Sequence, residues 1–126
     1  YTSEAAQRLL NEAARYLGTP YVWGGYSPSG FDCSGFVSYC LTHSGVRNTG
    51  RLTAQRLYDI CTPVSQSEAQ PGDLIFFTGT YDAGVPVTHI GIYVGNGQMI
   101  HCGHPVQYTS INSPYWQSHF YGFGRW

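Results

Sequence analysis

Cys33 is the residue of this chain best placed to act as a nucleophile. It stands in the segment Asp32-Cys33-Ser34-Gly35, where a glycine-rich loop gives way to a predicted helix. The thiolate is the attacking form of cysteine, and the unpaired N–H groups at a helix start stabilise negative charge there or on a substrate oxyanion. A buried structural thiol is the alternative. Cys40, on the apolar stripe of the same predicted helix, fits that alternative better than Cys33 does.

Two histidines supply the partners that a thiol nucleophile needs, namely a base and a group that orients the base. His89 and His101 lie in two successive predicted strands, 88–94 and 98–102. A lone histidine in a strand is more often structural. Two histidines on one face, with Gly91 leaving the gap between them open, favour a shared catalytic role.

The turn between these strands decides where His101 points, because a shift of one residue in register reverses every side chain. A two-residue turn at 96–97 would place His101 on the core face. A three-residue loop would pair Val94 with Gln98 and place His101 on the face of His89, diagonally across the hairpin. We predict the three-residue loop, or a bulge with the same effect on parity.

A metal site is the alternative use of this region, with His101, Cys102 and His104 as ligands. These residues lack the CxxC or HExxH spacing of common zinc sites. In a regular strand, Cys102 also points away from His101. We therefore expect no metal and no other cofactor.

The elements that must position these residues are helices first and strands afterwards. Apolar residues at helical spacing predict helices at 3–17, 33–44 and 53–61. Alternating segments bounded by Gly and Pro predict strands at 74–78, 88–94, 98–102, 106–111 and 121–125. Loops are expected at 21–32 and 62–73. This order favours an α+β fold, with N-terminal helices packed on a mostly antiparallel sheet of about five to six strands.

Composition limits the class of protein. The 126 residues are 42% hydrophobic and 10% charged, which suits one domain, 1–126, with a real core. Six Lys and Arg against seven Asp and Glu give a net charge of −1, so nucleic acid is not an expected partner. No apolar run approaches the ~20 residues of a membrane helix. No signal peptide is visible, and the abrupt start suggests a domain cut from a longer protein.

Several segments in order resemble the NlpC-type cell-wall peptidases, a bacterial branch of the papain-like cysteine peptidases. The resemblance covers essentially the whole chain and rests on 18–25 (GTPYVWGG), 31–37 (FDCSGFV), 71–77 (PGDLIFF), 89–95 (HIGIYVG) and 99–101 (MIH). It implies a papain-like fold and a Cys-His-His arrangement. Cys33 would be the nucleophile, His89 the base, and His101 the polar residue that orients His89.

The resemblance also implies a substrate, the stem peptide of bacterial peptidoglycan. Such enzymes typically cut between the side-chain carboxyl of D-glutamate and the next residue, diaminopimelate or lysine. Several require a free amino group on the preceding L-alanine. By similarity, Asp32 and Ser34 would bind that amino group, with Tyr21 at the same end. Arg51 precedes a stretch, 53–55, that resembles one bordering the groove.

Other interpretations stay open beside this one. Asp32 could simply cap the helix, and its charge disfavours a thiolate at Cys33 unless an imidazolium at His89 and the helix start outweigh it. A related amidase would cut another wall amide bond, and a non-catalytic module would only bind the wall. Cys40 and Cys61 could be free thiols or a bridge. By resemblance we expect a thiol protease, secreted or in the cell wall, and a monomer.

Overall fold

The computed structural model describes residues 3–126. Within this range the chain forms four α-helices: α1 (Ser3–Ala14), α2 (Cys33–His43), α3 (Ala54–Ile60) and α4 (Pro114–His119). It also forms eight strands: β1 (Tyr26–Ser27), β2 (Gly30–Phe31), β3 (Thr62–Val64), β4 (Leu74–Thr78), β5 (Val87–Gly95), β6 (Gln98–Cys102), β7 (Val106–Ser110) and β8 (Phe120–Arg125).

Six of these strands form one sheet in the order β3-β8-β4-β5-β6-β7, and every neighbouring pair is antiparallel. The first three helices precede this sheet in the chain. The predicted α+β class and the predicted five to six antiparallel strands are therefore confirmed. Strands β1 and β2 form a separate short hairpin next to the start of α2.

The core divides between the two faces of the sheet, because successive strand residues point to opposite sides. Along β4, Leu74 and Phe76 join the cluster that contains the buried side chains of α1, α2 and α3. Ile75 and Phe77 join a second cluster, against which Trp116 of α4 packs. Helix α2 is the most enclosed helix, and buried side chains run along it from Cys33 to Leu41.

Two predicted boundaries are wrong. Helix α1 ends at Ala14 rather than residue 17, because residues 15–17 close tighter bonds to carbonyls three residues back. The predicted loop 62–73 contains β3, which includes Pro63. Proline lacks an N–H donor and is tolerated there because β3 is an edge strand.

Helix α4 and the hairpin β1–β2 also lie where no element was predicted. The start of α4 carries a recognisable signal. Ser113 caps it by accepting from the Trp116 N–H, and Pro114 occupies its first turn. This helix positions Trp116, which matters for the site described below.

Candidate active site

Cys33 is the first residue of α2, and the residue before it holds the helix start in place. Asp32 has extended backbone and acts as N-cap, with Oδ1 accepting the Gly35 N–H at 2.7 Å. The lack of a side chain at Gly35 is required, since a Cβ there would collide with the Gly25 carbonyl. The local structure therefore explains both Asp32, which caps the helix, and Gly35, which lets the Gly25 carbonyl approach.

The Cys33 sulfur lies against the backbone of β5 on either side of His89. Its thiol donates to the Thr88 carbonyl at 3.8 Å, and the Ile90 N–H donates to the sulfur. In the β4–β5 ladder, Phe77 pairs with His89 and the next pair skips Thr88, so the strand bulges at the residue that the thiol contacts. Bulges re-aim strand side chains and are frequent beside active sites.

His89 and His101 contact each other directly. His89 Nε2 and His101 Nδ1 are 2.9 Å apart, and the second nitrogen of His101, Nε2, lies 2.9 Å from Thr109 Oγ1 on β7. Trp116 of α4 covers both rings, stacked on His89 at 5.2 Å and edge-on to His101 at 5.3 Å between ring centroids. The prediction that the two histidines share a face is confirmed.

The turn between β5 and β6 differs from the predicted three-residue loop. Gly95, not Val94, pairs with Gln98, so the loop is the two-residue turn Asn96-Gly97. The register then shifts, because Tyr93 pairs with Met99 and Val94 has no partner in the ladder. The predicted pairing of Val94 with Gln98 is therefore wrong, and the predicted alternative, a bulge with the same effect on parity, is confirmed.

Burial and neighbouring groups favour the neutral forms of Cys33 and His89, the predicted nucleophile and base. Burial, and next the charge of Asp32, raise the pKa of the Cys33 thiol to about 11, despite donation from the Ser34 and Ile90 N–H groups and the nearby Arg51 charge. Burial, and next the neighbouring His101, lower the pKa of His89 to about 3. Burial alone lowers the pKa of His101 to about 4. The sequence analysis required an imidazolium at His89 and the helix start to outweigh the charge of Asp32. The lowered pKa of His89 disfavours that imidazolium, and the pKa of Cys33 stays raised.

Asp32, Ser34 and Arg51 form one polar cluster beside the nucleophile. Arg51 Nη2 donates to Asp32 Oδ2 at 2.6 Å, and Arg51 Nη1 donates to Ser34 Oγ at 3.1 Å. The Gly24 N–H also donates to Asp32 Oδ2, at 3.1 Å. Asp32 is therefore helix cap and ion-pair partner at once.

Two adjoining cavities connect these groups. The larger, about 430 Å³, is lined by Cys33 and by all four predicted binding residues, Tyr21, Asp32, Ser34 and Arg51. The smaller, about 270 Å³, is lined by His89 and His101. Tyr21 borders both cavities, and burial, and next the proximity of Cys33, raise its pKa to about 12. The nucleophile and the histidines thus open into neighbouring parts of one groove.

The groove also contains residues that the sequence analysis did not single out. Trp23 is 72% exposed at the rim, edge-on to Tyr81 with ring centroids 5.4 Å apart. Gln55 lines the larger cavity and accepts the Val87 N–H at 2.9 Å, which ties α3 to β5. Trp23 stood within the family-like segment 18–25, and Gln55 within 53–55, so both had a signal. Thr109 had none.

The remaining thiols have structural surroundings. Cys102 Sγ donates to the Phe31 carbonyl at 3.2 Å, and both ring nitrogens of His101 have partners. Across residues 3–126, no cluster of three or more His, Cys, Asp or Glu side chains could hold a metal ion. Cys40 and Cys61 are free thiols, so the alternative of a bridge between them is wrong.

Comparison with known proteins gives a consistent result. Residues 18–125 match the NlpC/P60 family. The bifunctional muramidase/DL-endopeptidase CwlT of Bacillus subtilis is 44% identical over 121 residues, which are 94% of this chain and 36% of CwlT. The murein DD-endopeptidase MepH of Escherichia coli is 39% identical over 132 residues, covering 97% of this chain and 46% of MepH. This chain spans less than half the length of these relatives.

Solved structures agree with the sequence comparisons. A Staphylococcus aureus protein of the NLP/P60 family superposes with a TM-score of 0.93 at 43% identity, covering 99% of this chain and 42% of that one. RipD of Mycobacterium tuberculosis, described as a non-catalytic NlpC/p60 domain protein, superposes with a TM-score of 0.78 at 20% identity, covering 98% and 97%. That likeness concerns the fold alone. Among residues 3–126, no helix has the length and apolar character to cross a membrane. On the family match and these relatives, the chain belongs to the NlpC/P60 family.

Proposed function

We propose that this chain is the catalytic domain of a peptidoglycan hydrolase, a cysteine endopeptidase that cuts the wall stem peptide. The observation that carries the proposal is the placement of Cys33 at the start of α2, with its sulfur against the β5 backbone on both sides of His89. His89 is in turn hydrogen-bonded to His101. A nucleophile, a base and a group that orients the base are the arrangement typical of thiol catalysis.

The chemistry follows from the neutral resting state. As the sulfur attacks the scissile carbonyl carbon, the thiol proton passes to His89, and the oxyanion forms near the positive end of α2. When the intermediate collapses, the C–N bond breaks and His89 returns the proton to the leaving amine. Water then attacks the thioester, His89 takes a proton from it, and the C–S bond breaks to release the acid and restore the thiol.

We propose the bond between the γ-carboxyl of D-glutamate and diaminopimelate or lysine as the one that is cut. The cluster of Asp32, Ser34 and Arg51 beside Cys33 supports this choice, because a carboxylate and a hydroxyl next to the nucleophile can hold the free amine of the preceding L-alanine. The amine would join Arg51 in satisfying Asp32, or displace it. Tyr21 lines the same cavity.

A second bond is a real alternative, because the relatives carry names for two chemistries. CwlT is named a DL-endopeptidase and MepH a DD-endopeptidase, and both align over nearly all of this chain. We propose the first bond because a site for a free amine has a use only near the end of the stem peptide. We further propose that the domain spans 1–126 and acts as a monomer outside the cell or in the cell wall.

The test is digestion of defined muropeptides, with products identified by mass spectrometry. Substrates would contain diaminopimelate or lysine, with or without a D,D-cross-link and with or without a free L-alanine amine. Cys33→Ala should abolish hydrolysis, whereas Cys61→Ala, the same change in a free thiol outside the groove, should not. Equal hydrolysis by Cys33→Ala and the parent would refute the proposal. Binding without hydrolysis by both would identify a wall-binding module.

A further inference from the structure

The second ring nitrogen of His101 faces a hydroxyl group to which no role has been given. His101 Nε2 lies 2.9 Å from Thr109 Oγ1, while His101 Nδ1 lies 2.9 Å from His89 Nε2. We propose that Thr109 is a positioning residue that keeps the proton of His101 on Nε2, so that Nδ1 always accepts from His89. This inference rests on the proposed role of His89 as the base.

The direction of the proton chain follows from the donor count of each group. Once His89 has taken the thiol proton, both of its nitrogens carry hydrogen and can only donate. His101 Nδ1 must then accept, so the single proton of neutral His101 is on Nε2. That N–H must donate to Thr109 Oγ1, and a hydroxyl oxygen has the free lone pairs to accept it.

The opposite direction would disable the base. If the Thr109 hydroxyl donated to Nε2, His101 would carry its proton on Nδ1 and donate to His89 Nε2. His89 would then hold its own proton on Nδ1 and would have no lone pair left for the thiol proton. Thr109 therefore acts through two imidazoles, and the hydrogen bonds polarise one another along the chain.

The fold makes this contact specific. Thr109 pairs with Met99 in the β6–β7 ladder, two residues before His101, so Thr109 and His101 lie diagonally on the same face. His101 is 4% exposed and Trp116 lies against its ring, so solvent is a poor substitute for Thr109 as acceptor. An N–H left without a partner at such a site is costly.

The experiment compares three variants of the chain on a muropeptide that the parent cleaves. Thr109→Val keeps the shape but removes the hydroxyl, and we expect kcat to fall about tenfold with KM unchanged. Thr109→Ser restores the hydroxyl and should restore kcat to within about twofold. Thr62→Val is the matched control, because Thr62 lies on β3 at the opposite edge of the sheet.

A spectroscopic readout separates this inference from the proposed function. Nitrogen-15 NMR of the parent should show His101 protonated on Nε2 and bare on Nδ1, and Thr109→Val should lose that preference. This holds whether or not a substrate has been found, so it decides the inference even if the chain hydrolyses nothing. Protonation of His101 on Nδ1 in the parent, or an unchanged kcat in a folded Thr109→Val, would overturn the inference.

Discussion

At the scale of single residues, the pKa of the Cys33 thiol depends on opposing effects of burial and of nearby hydrogen-bond donors. The sulfur of Cys33 receives the Ser34 and Ile90 N–H groups, and Arg51 adds a positive charge nearby. Burial and the charge of Asp32 act in the other direction and are stronger, so the pKa of the thiol is raised. The carboxylate proposed to recognise an amine therefore also contributes to raising the pKa of the nucleophile.

This balance predicts how Cys33 reacts with a small alkylating agent. Because the pKa of the thiol is raised to about 11, the rate with iodoacetamide should climb steadily above neutral pH as thiolate forms. Asp32→Asn removes the negative charge but keeps a side chain that can cap α2, so it should react faster at the same pH. The modified Cys33 peptide is quantified by mass spectrometry, which separates it from the other three thiols.

A different dependence of the iodoacetamide rate on pH would contradict this prediction. A preformed thiolate–imidazolium pair would give a flat, high rate between about pH 5 and 8. Such a plateau would show that the pair is charged before substrate arrives. An Asp32→Asn variant that reacts no faster than the parent would show that the carboxylate does not raise the pKa of the thiol.

At the scale of elements, the sequence predicts the faces of strand β5 better than its register. The hydrophobic alternation predicted which residues of β5 face the helices, and the motif around Cys33 predicted the start of α2 within one residue. The two register shifts, at Thr88 and at Val94, could not be predicted because a bulge has no fixed residue type when glycine is not required. Only the need for two cooperating histidines indicated the second of them.

The elements that were missed show two different reasons. Strand β3 has only three residues and contains Pro63, which is acceptable in a strand because β3 lies at the edge of the sheet. Helix α4 had a start signal in Ser113 and Pro114 but only six residues, too few for a helical period to show. Of the site residues, those in dense motifs were found, whereas Thr109 and Trp116 act through long-range contacts that no local pattern reports.

The β5–β6 ladder predicts a sharp effect of one methyl group. A Cβ at Gly91 would lie 2.8 Å from Met99 Sδ and 3.2 Å from His101 Cβ, so Gly91→Ala should push His101 away from His89. We expect activity on wall peptide to fall by about tenfold or more, since small displacements of catalytic groups are costly. Gly122→Ala is the matched control, because a Cβ there meets no atom within 4 Å. Equal losses in both variants, measured as kcat/KM, would contradict this assignment.

At the scale of the whole molecule, the groove lies between the helical layer and the sheet, so catalysis depends on how the two layers are held together. Helix α2 brings Cys33, while β5 and β6 bring the histidines. A buried carboxylate, Asp73, receives two hydrogen bonds from Arg125 and joins the start of β4 to the end of β8. The buried His101 and the partly buried His89, both with lowered pKa values, link folding to pH.

That link predicts loss of stability on mild acidification. His89 and His101 have folded-state pKa values of about 3 and about 4, below the ordinary 6.5, so the unfolded chain binds more protons between these values. The free energy of unfolding is therefore undiminished above pH 6.5 and falls as the pH drops toward 4, by up to about 1.4 kcal/mol per pH unit for each histidine. Urea unfolding at several pH values measures the dependence of the free energy of unfolding on pH.

The control variant is His89→Gln, because carboxylates also contribute to this pH dependence. The variant should reduce the slope by the contribution of one histidine. An identical slope in that variant would mean that His89 is protonated, or equally accessible to protons, in the folded protein.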